Sequence, residues 1–278
     1  MIRSIAIIGT GLIGTSVALA VRRQGITTFL ADRDGAVARA AAARGAGRAE
    51  APPGPVDLAV LAVPPGQIGP VLTAAQAAGL ARSYTDVASV KGEPERAVLR
   101  DAPDPAAFVG GHPMAGRERS GAAAARADLF DGRSWLVTPS AVTSAEALDR
   151  GVELARLCGA DPVVMSSAVH DETVALVSHL PHLVASLMAA RLADAPGGVV
   201  RLAGRGARDV TRIAAGDPAL WTDIVRANAP AVARLMRDLC ADAGRVAAAL
   251  DEVAESGTGL ATVTDLLERG AIGAGRLR

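Results

Sequence analysis

Six residues near the amino end constrain the fold more than any other part of the chain. Gly9-Thr-Gly-Leu-Ile-Gly14 follows the apolar run Ile5-Ala-Ile-Ile8 and leads into an Ala- and Val-rich stretch with helical spacing. Strand, glycine turn and helix in that order form a dinucleotide-binding fingerprint. Gly9 permits the tight turn, Gly11 lets the backbone approach a pyrophosphate, and Gly14 lets the helix lie close on the strand. The pyrophosphate then sits at the positive end of the helix, against the Leu12 and Ile13 positions. Asp32 closes the second apolar run, 18 residues after Gly14. A carboxylate there accepts both ribose hydroxyls of NAD and repels a 2′-phosphate. The neighbouring Arg33 is able to bind that phosphate, so NAD is expected as cofactor and NADP stays the secondary option. Val63 and Pro64 end the third apolar run. They either wall the nicotinamide side of the crevice or make an ordinary strand-to-helix turn.

The rest of the amino-terminal half repeats this alternation. Strand patterns at residues 5–8, 27–31, 56–63, 83–87, 108–110, 134–138 and 162–165 are separated by helical patterns at 12–24, 35–44, 67–78, 93–99 and 144–157. That order predicts an α/β architecture, a Rossmann-type doubly wound and largely parallel sheet with helices on both faces. After residue 166 the strand signals stop. Residues 169–192 form one helical pattern interrupted by Pro181, residues 218–243 and 245–255 are helical, 260–267 predict a last short helix, and 270–278 are expected to fray. The chain thus divides into a cofactor-binding domain, 1–166, and an all-helical domain, 167–278. A length of 278 residues suits two domains of about 100–200 residues each.

A formal net charge of zero gives no reason to expect nucleic acid or a membrane surface as partner. No stretch of ~18 apolar residues is free of charge, so no transmembrane helix is expected. Cys158 and Cys240 lack metal or redox spacing and read as reduced thiols of a cytoplasmic protein. Arginine almost replaces lysine, and Lys91 is the one lysine in the chain.

Four histidines carry the candidate chemistry. His112 lies in Gly110-Gly-His-Pro-Met-Ala-Gly-Arg-Glu-Arg-Ser-Gly121, after a strand and beside Glu118. Open α/β sheets place ligands at that end of their strands, and a histidine there can serve as general base. His179 and His182 are three apart and share a helix face. His170 lies nine residues before His179, so on a straight helix it faces elsewhere. Neither carboxylate nor cysteine joins the shared face, so no metal site is expected. Arg208 and Arg212 are four apart beside a glycine-rich bend, an arrangement suited to a carboxylate ligand.

Taken together, the glycine loop, Asp86-Val-Ala-Ser-Val-Lys91, the loop at 110–121, the helix opening His170-Asp-Glu-Thr-Val-Ala-Leu-Val-Ser-His-Leu-Pro-His182 and the segment 206–221 resemble the prephenate/arogenate dehydrogenase family of tyrosine biosynthesis. The resemblance covers nearly the whole chain. It implies an NAD-dependent oxidoreductase of aromatic amino acid biosynthesis that oxidises and decarboxylates a cyclohexadienyl substrate. By that resemblance His112 is the base at the ring hydroxyl and Ser89 hydrogen-bonds the same hydroxyl. Arg212 binds the side-chain carboxylate, Glu118 gates the site mouth, and His179 and His182 line the pocket. Ser178, Asp209 and Trp221 support it, and Lys91 falls in a family motif without an assigned role. The resemblance further implies a homodimer built through the helical domain. Prephenate, arogenate and the 4-amino analogue of prephenate all remain open as substrate. A catalytically silent NAD-binding redox sensor would need the glycine loop and Asp32, but not His112, Ser89 and Arg212 together.

Overall fold

Seven strands make one sheet in a computed structural model that describes residues 1–116 and 121–277. In chain order they are β1 (Ser4–Ile8), β2 (Thr27–Ala31), β3 (Val56–Leu61), β4 (Ala81–Asp86), β5 (Phe108–Pro113), β6 (Ser134–Thr138) and β7 (Asp161–Val164). Across the sheet the order is β2-β1-β3-β4-β5-β6-β7. The first five run parallel. The sheet is largely parallel, as expected; the exception is β6, which pairs antiparallel with β5, and β7 then runs parallel to β6. A parallel return needs a crossover, usually a helix. Between β5 and β6 the described residues offer only a 3-10 turn at Ala122–Ala124.

Helices α1 (Leu12–Arg23), α2 (Gly35–Ala43), α3 (Ile68–Ala77), α4 (Gly92–Asp101) and α5 (Ala145–Leu157) accompany the strands. Side chains alternate faces along each strand. Ile5, Ile7, Leu58 and Val60 therefore join one core with Val17, Val21 and Leu154. Ala6, Ala59 and Leu61 join another with Ile68, Leu72 and Val98. Both faces are covered, which is why these strands read as unbroken apolar runs. Side-chain caps start the helices where the sequence offers them: Asp34 accepts from the Ala36 amide and Ser144 from the Ala147 amide.

Contacts divide the chain into two units, Met1–Ala229 and Pro230–Arg278. The helical part of the first holds α6 (Ser167–Val174), α7 (Leu180–Ala193), α8 (Gly197–Arg201), α9 (Arg205–Thr211) and α10 (Pro218–Ala227). Between α6 and α7 the chain takes a π turn at Ala175–His179. Pro181 lacks the N–H needed to continue an α ladder, and the wider turn immediately precedes it. The rod Ser167–Ala193 is long and apolar enough to cross a membrane by length and composition. It nevertheless buries His170, His179 and His182. The second unit comprises most of α11 (Ala229–Ser256) and α12 (Leu260–Gly275). Two expectations change here. The helix break falls at Asn228 rather than Gly244, and the stretch expected to fray is helical to Gly275.

One buried ion pair holds the middle of the sheet. Strands β4 and β5 pair only through Tyr84–Phe108 and Thr85–Val109. Beyond that point the Lys91 ammonium fills the gap. It donates to both Asp86 carboxylate oxygens at 2.6 and 2.7 Å and to the Gly111 carbonyl at 2.6 Å. Asp86 also accepts from the Gly111 amide at 2.8 Å. All three lysine protons are used, and both side chains are buried. The pair lies so close to β5 that a Cβ on Gly110 would fall 3.2 Å from Lys91 Cδ and 2.3 Å from Thr138 Oγ1. A Cβ on Gly111 would fall 2.6 Å from the Asp86 carbonyl. Removing one member of a buried pair strands the other charge, at a cost of about 3–5 kcal/mol. Lys91→Met should lower unfolding stability by that order in urea titration, and Asp86→Asn added to it should recover part of the loss.

Candidate active site

The parallel strands end on one edge of the sheet, and the loops there carry the residues singled out above. After β1, Gly9 adopts φ +98° and a Cβ there would meet the Ala62 carbonyl oxygen at 2.2 Å. Gly14 presses on the Gly9 carbonyl, where a Cβ would stand 2.0 Å away. Gly11 differs, because its Cβ position faces open space. Gly11 is also the N-cap of α1, and no side chain caps that terminus. The amides of Leu12 and Ile13 therefore open onto a cradle that a side chain would otherwise fill, which fits a pyrophosphate. Asp32 is fixed beside this loop. One carboxylate oxygen accepts from the Thr10 amide at 2.7 Å and the Thr10 hydroxyl at 3.0 Å, and the other accepts from the Asp34 amide at 3.1 Å. Burial works against its charge, but these hydrogen bonds hold its pKa below the ordinary value. It stays ionised and partly exposed, ready to accept ribose hydroxyls. Arg33 next to it is exposed, and Val63 and Pro64 follow β3 on the same edge.

His112 is the penultimate residue of β5, in register with Leu136. Its Nδ1 lies 2.8 Å from His170 Nε2, and His170 Nδ1 lies 2.8 Å from Asp171 Oδ1. Asp171 is itself anchored. Its two oxygens accept from the Lys91 and Gly92 amides, each at 2.8 Å. The start of α4 thus grips the start of α6. Ser89, partly exposed, lies in the turn between β4 and α4, two residues before Lys91.

The same helix supplies a second group. Asn228 Nδ2 donates to the Asp171 carbonyl at 2.7 Å and faces His179 Nδ1 at 3.2 Å, so His179 Nδ1 is an acceptor. The Trp221 ring lies 6.2 Å from His179 and stacks on His182 at 3.5 Å between centroids. Arg212 opens a 3-10 turn, Arg212–Ala215, that ends at Gly216. A Cβ on Gly216 would fall 2.6 Å from Trp221 Nε1 and 3.1 Å from His182 Cε1. Arg212 therefore lies one short turn from the stacked pair. Arg208 lies on α9 just before it, and both arginines are exposed. Ser178 is partly exposed within the π turn, and Asp209 is exposed on α9. Glu118 lies outside the described residues.

Several members of this constellation were not evident from spacing. His170 was expected to face away from His179, yet His170, His179 and His182 are all buried. The intervening π turn widens the helix and changes its phase, so counting at α-helical pitch fails. The His-Asp dipeptide at 170–171 was the available signal, because a carboxylate beside a histidine can fix its tautomer. Asn228 carried no signal in the sequence. Lys91 did: a lone lysine in an arginine-rich chain marks a place that a guanidinium does not fill, here a closed pocket with three acceptors.

The four histidines share one electrostatic direction. Loss of water drives His112 well below its ordinary pKa, helped by repulsion from His170, Lys91 and His179. Burial also lowers His170, against the pull of Asp171. Burial lowers His179 to about 4 and lowers His182 as well. The unfolded chain takes up these protons near pH 6.5 and the folded chain resists them. The unfolded state therefore binds more protons in this interval, and stability falls as the pH falls. The melting temperature followed by circular dichroism should drop steadily from about pH 6.5 to pH 4. A flat profile across that window would contradict this assignment.

The profile of the prephenate dehydrogenase nucleotide-binding domain matches residues 17–164, and that of the prephenate dehydrogenase dimerization domain matches residues 166–261. The chain is 42% identical to the probable prephenate dehydrogenase NovF of Streptomyces niveus, over 99% of this chain and 77% of that protein. It is 32% identical to the cyclohexadienyl dehydrogenase of Zymomonas mobilis, over 89% of this chain and 88% of that one. Its fold superposes on the Synechocystis arogenate dehydrogenase with a TM-score of 0.80 at 26% identity, covering 99% of this chain and 100% of that structure. The glycine loop, the histidine constellation and these matches along the chain converge, and the chain belongs to the prephenate dehydrogenase family.

Proposed function

We propose that this chain oxidises prephenate to 4-hydroxyphenylpyruvate, with release of CO2 and transfer of a hydride to NAD. The observation that carries the reading is His112. It is a neutral and partly exposed histidine at the edge of the sheet where the glycine loop also opens. In this reading residues 1–166 bind the cofactor. Gly9, Gly11, Leu12, Ile13 and Gly14 cradle the pyrophosphate, Asp32 takes the ribose with Arg33 beside it, and Val63 and Pro64 wall the nicotinamide side. Bound NAD supplies the hydride acceptor.

His112 accepts the proton of the ring 4-hydroxyl while Ser89 orients that hydroxyl. Removal of the proton drives the C4–H hydride out and leaves a carbonyl at C4. The bond from the ring to its carboxylate then breaks, CO2 leaves, and the electron pair flows to the C4 oxygen as the ring becomes aromatic. That oxygen recovers a proton to give the phenol. Residues 167–278 hold the substrate. Arg212, with Arg208 behind it, pairs with the side-chain carboxylate, because guanidinium presents two parallel donors to it. His179 and His182 line the pocket, and Glu118 guards its mouth. Leu176, Val177, Leu187 and Met188 are exposed apolar residues of the rod Ser167–Ala193. A homodimer through the helical domain would cover them. The setting is the cytoplasm, where Cys158 and Cys240 stay reduced.

Arogenate is the second reading. It shares the ring chemistry and offers Arg212 the same carboxylate, and the Synechocystis neighbour acts on it by name. NADH absorbance with NAD and each substrate in turn separates the two. Prephenate should turn over with the higher kcat/KM, and preference for arogenate would overturn the first reading. His112→Asn should lose about 10²–10⁴-fold in kcat, the usual contribution of a general base, with NAD affinity retained. Arg212→Ala should raise the KM for prephenate steeply, and an unchanged KM would mean that the carboxylate is held elsewhere.

A further inference from the structure

We propose that His170 and Asp171 are positioning residues that fix the tautomer of His112, placing its proton on Nδ1 and leaving Nε2 bare. This rests on the reading of His112 as the base, and it supplies what that reading lacks, namely which nitrogen does the work. The protons can be placed one after another, starting from Asp171. Both of its oxygens are held by backbone amides, from Lys91 and Gly92. An ionised carboxylate can only accept. The nitrogen 2.8 Å from it, His170 Nδ1, must therefore carry a proton. His170 is fully buried and stays neutral, so its Nε2 has only a lone pair. His112 Nδ1 faces that lone pair at 2.8 Å and must be the donor. A neutral His112 then has no proton left for Nε2.

Free histidine favours the opposite tautomer, with the proton on Nε2. In that form two lone pairs would confront each other at the His112–His170 contact. The relay thus reverses the intrinsic preference. It also prepares His112 for charge. Once Nε2 takes the substrate proton, the imidazolium still donates through Nδ1 to His170, whose far side rests on the Asp171 carboxylate. The logic resembles the serine–histidine–aspartate arrangement, with a second imidazole interposed. Among the described residues, the other charged and titratable groups facing the pair are Lys91, neutralised by Asp86, and His179, held neutral with Asn228 at its Nδ1.

The test reads the protons directly. In the full-length chain labelled with 15N-histidine, long-range 1H–15N correlations distinguish the two tautomers ring by ring. His112 and His170 should both show Nδ1–H at neutral pH. In His170→Phe, His112 should revert to Nε2–H. Turnover of prephenate should fall about 100-fold while KM and NAD affinity hold, a split that a packing defect would not give. A proton on Nε2 of His112 in the unaltered chain overturns the proposal, and so does an unchanged tautomer in His170→Phe. If that variant fails to fold, the spectrum of the unaltered chain still decides. An Nδ1–H tautomer together with an active His112→Asn would instead refute the base while leaving the relay in place.

Discussion

The buried Lys91–Asp86 pair is the contact on which the rest of the site depends. It lies where β4 and β5 part, and it replaces missing ladder hydrogen bonds with a charge-assisted bridge to the Gly111 carbonyl and amide. A buried ion pair carries a large desolvation penalty, so such a pair is a specificity device more than a source of stability. Here it sets the course of β5 immediately before His112. The backbone amides of Lys91 and Gly92 then hold Asp171. One residue thus fixes the strand that carries His112 through its side chain, and the helix that carries His170 through its main chain.

Much of the fold was legible in the sequence because the parallel core strands are short apolar runs between helical patterns. The glycine loop and Asp32 were legible for a different reason, since backbone approach to a phosphate leaves little freedom in residue choice. What escaped notice depended on contacts distant in sequence. The reversal at β6 follows from how the chain returns after residue 113, which periodicity does not encode. The end of α10 is a buried asparagine that holds an aspartate carbonyl 57 residues away, whereas Gly244, the local signal for a break, lies inside the continuous helix α11. His112, His179, His182 and Arg212 could be singled out from chemistry and resemblance. His170 could not, because its orientation depends on a turn that is not α-helical.

The polar residues of this region are few and thoroughly paired. No buried side-chain nitrogen or oxygen among the described residues lacks a partner. Asp171 alone meets two amides, an imidazole and, through its carbonyl, an asparagine. In a low-dielectric interior such a network rigidifies its members, because each lost bond strands a partner. Rigidity suits a reaction in which aromatisation supplies the driving force and the protein must chiefly place a ring between a base and a hydride acceptor.

The π turn at Ala175–His179 has a consequence for how such a chain could change over time. Relative to an α-helix it holds a surplus of chain, and that surplus changes the phase between His170 and the pair His179 and His182, all three of which are buried. Deleting a single codon within it would change the phase between His170 and the residues after the turn, and leave the glycine loop and Asp32 untouched. One route from this enzyme to a dinucleotide-binding protein without catalysis therefore runs through this turn, besides the substitution of His112 itself.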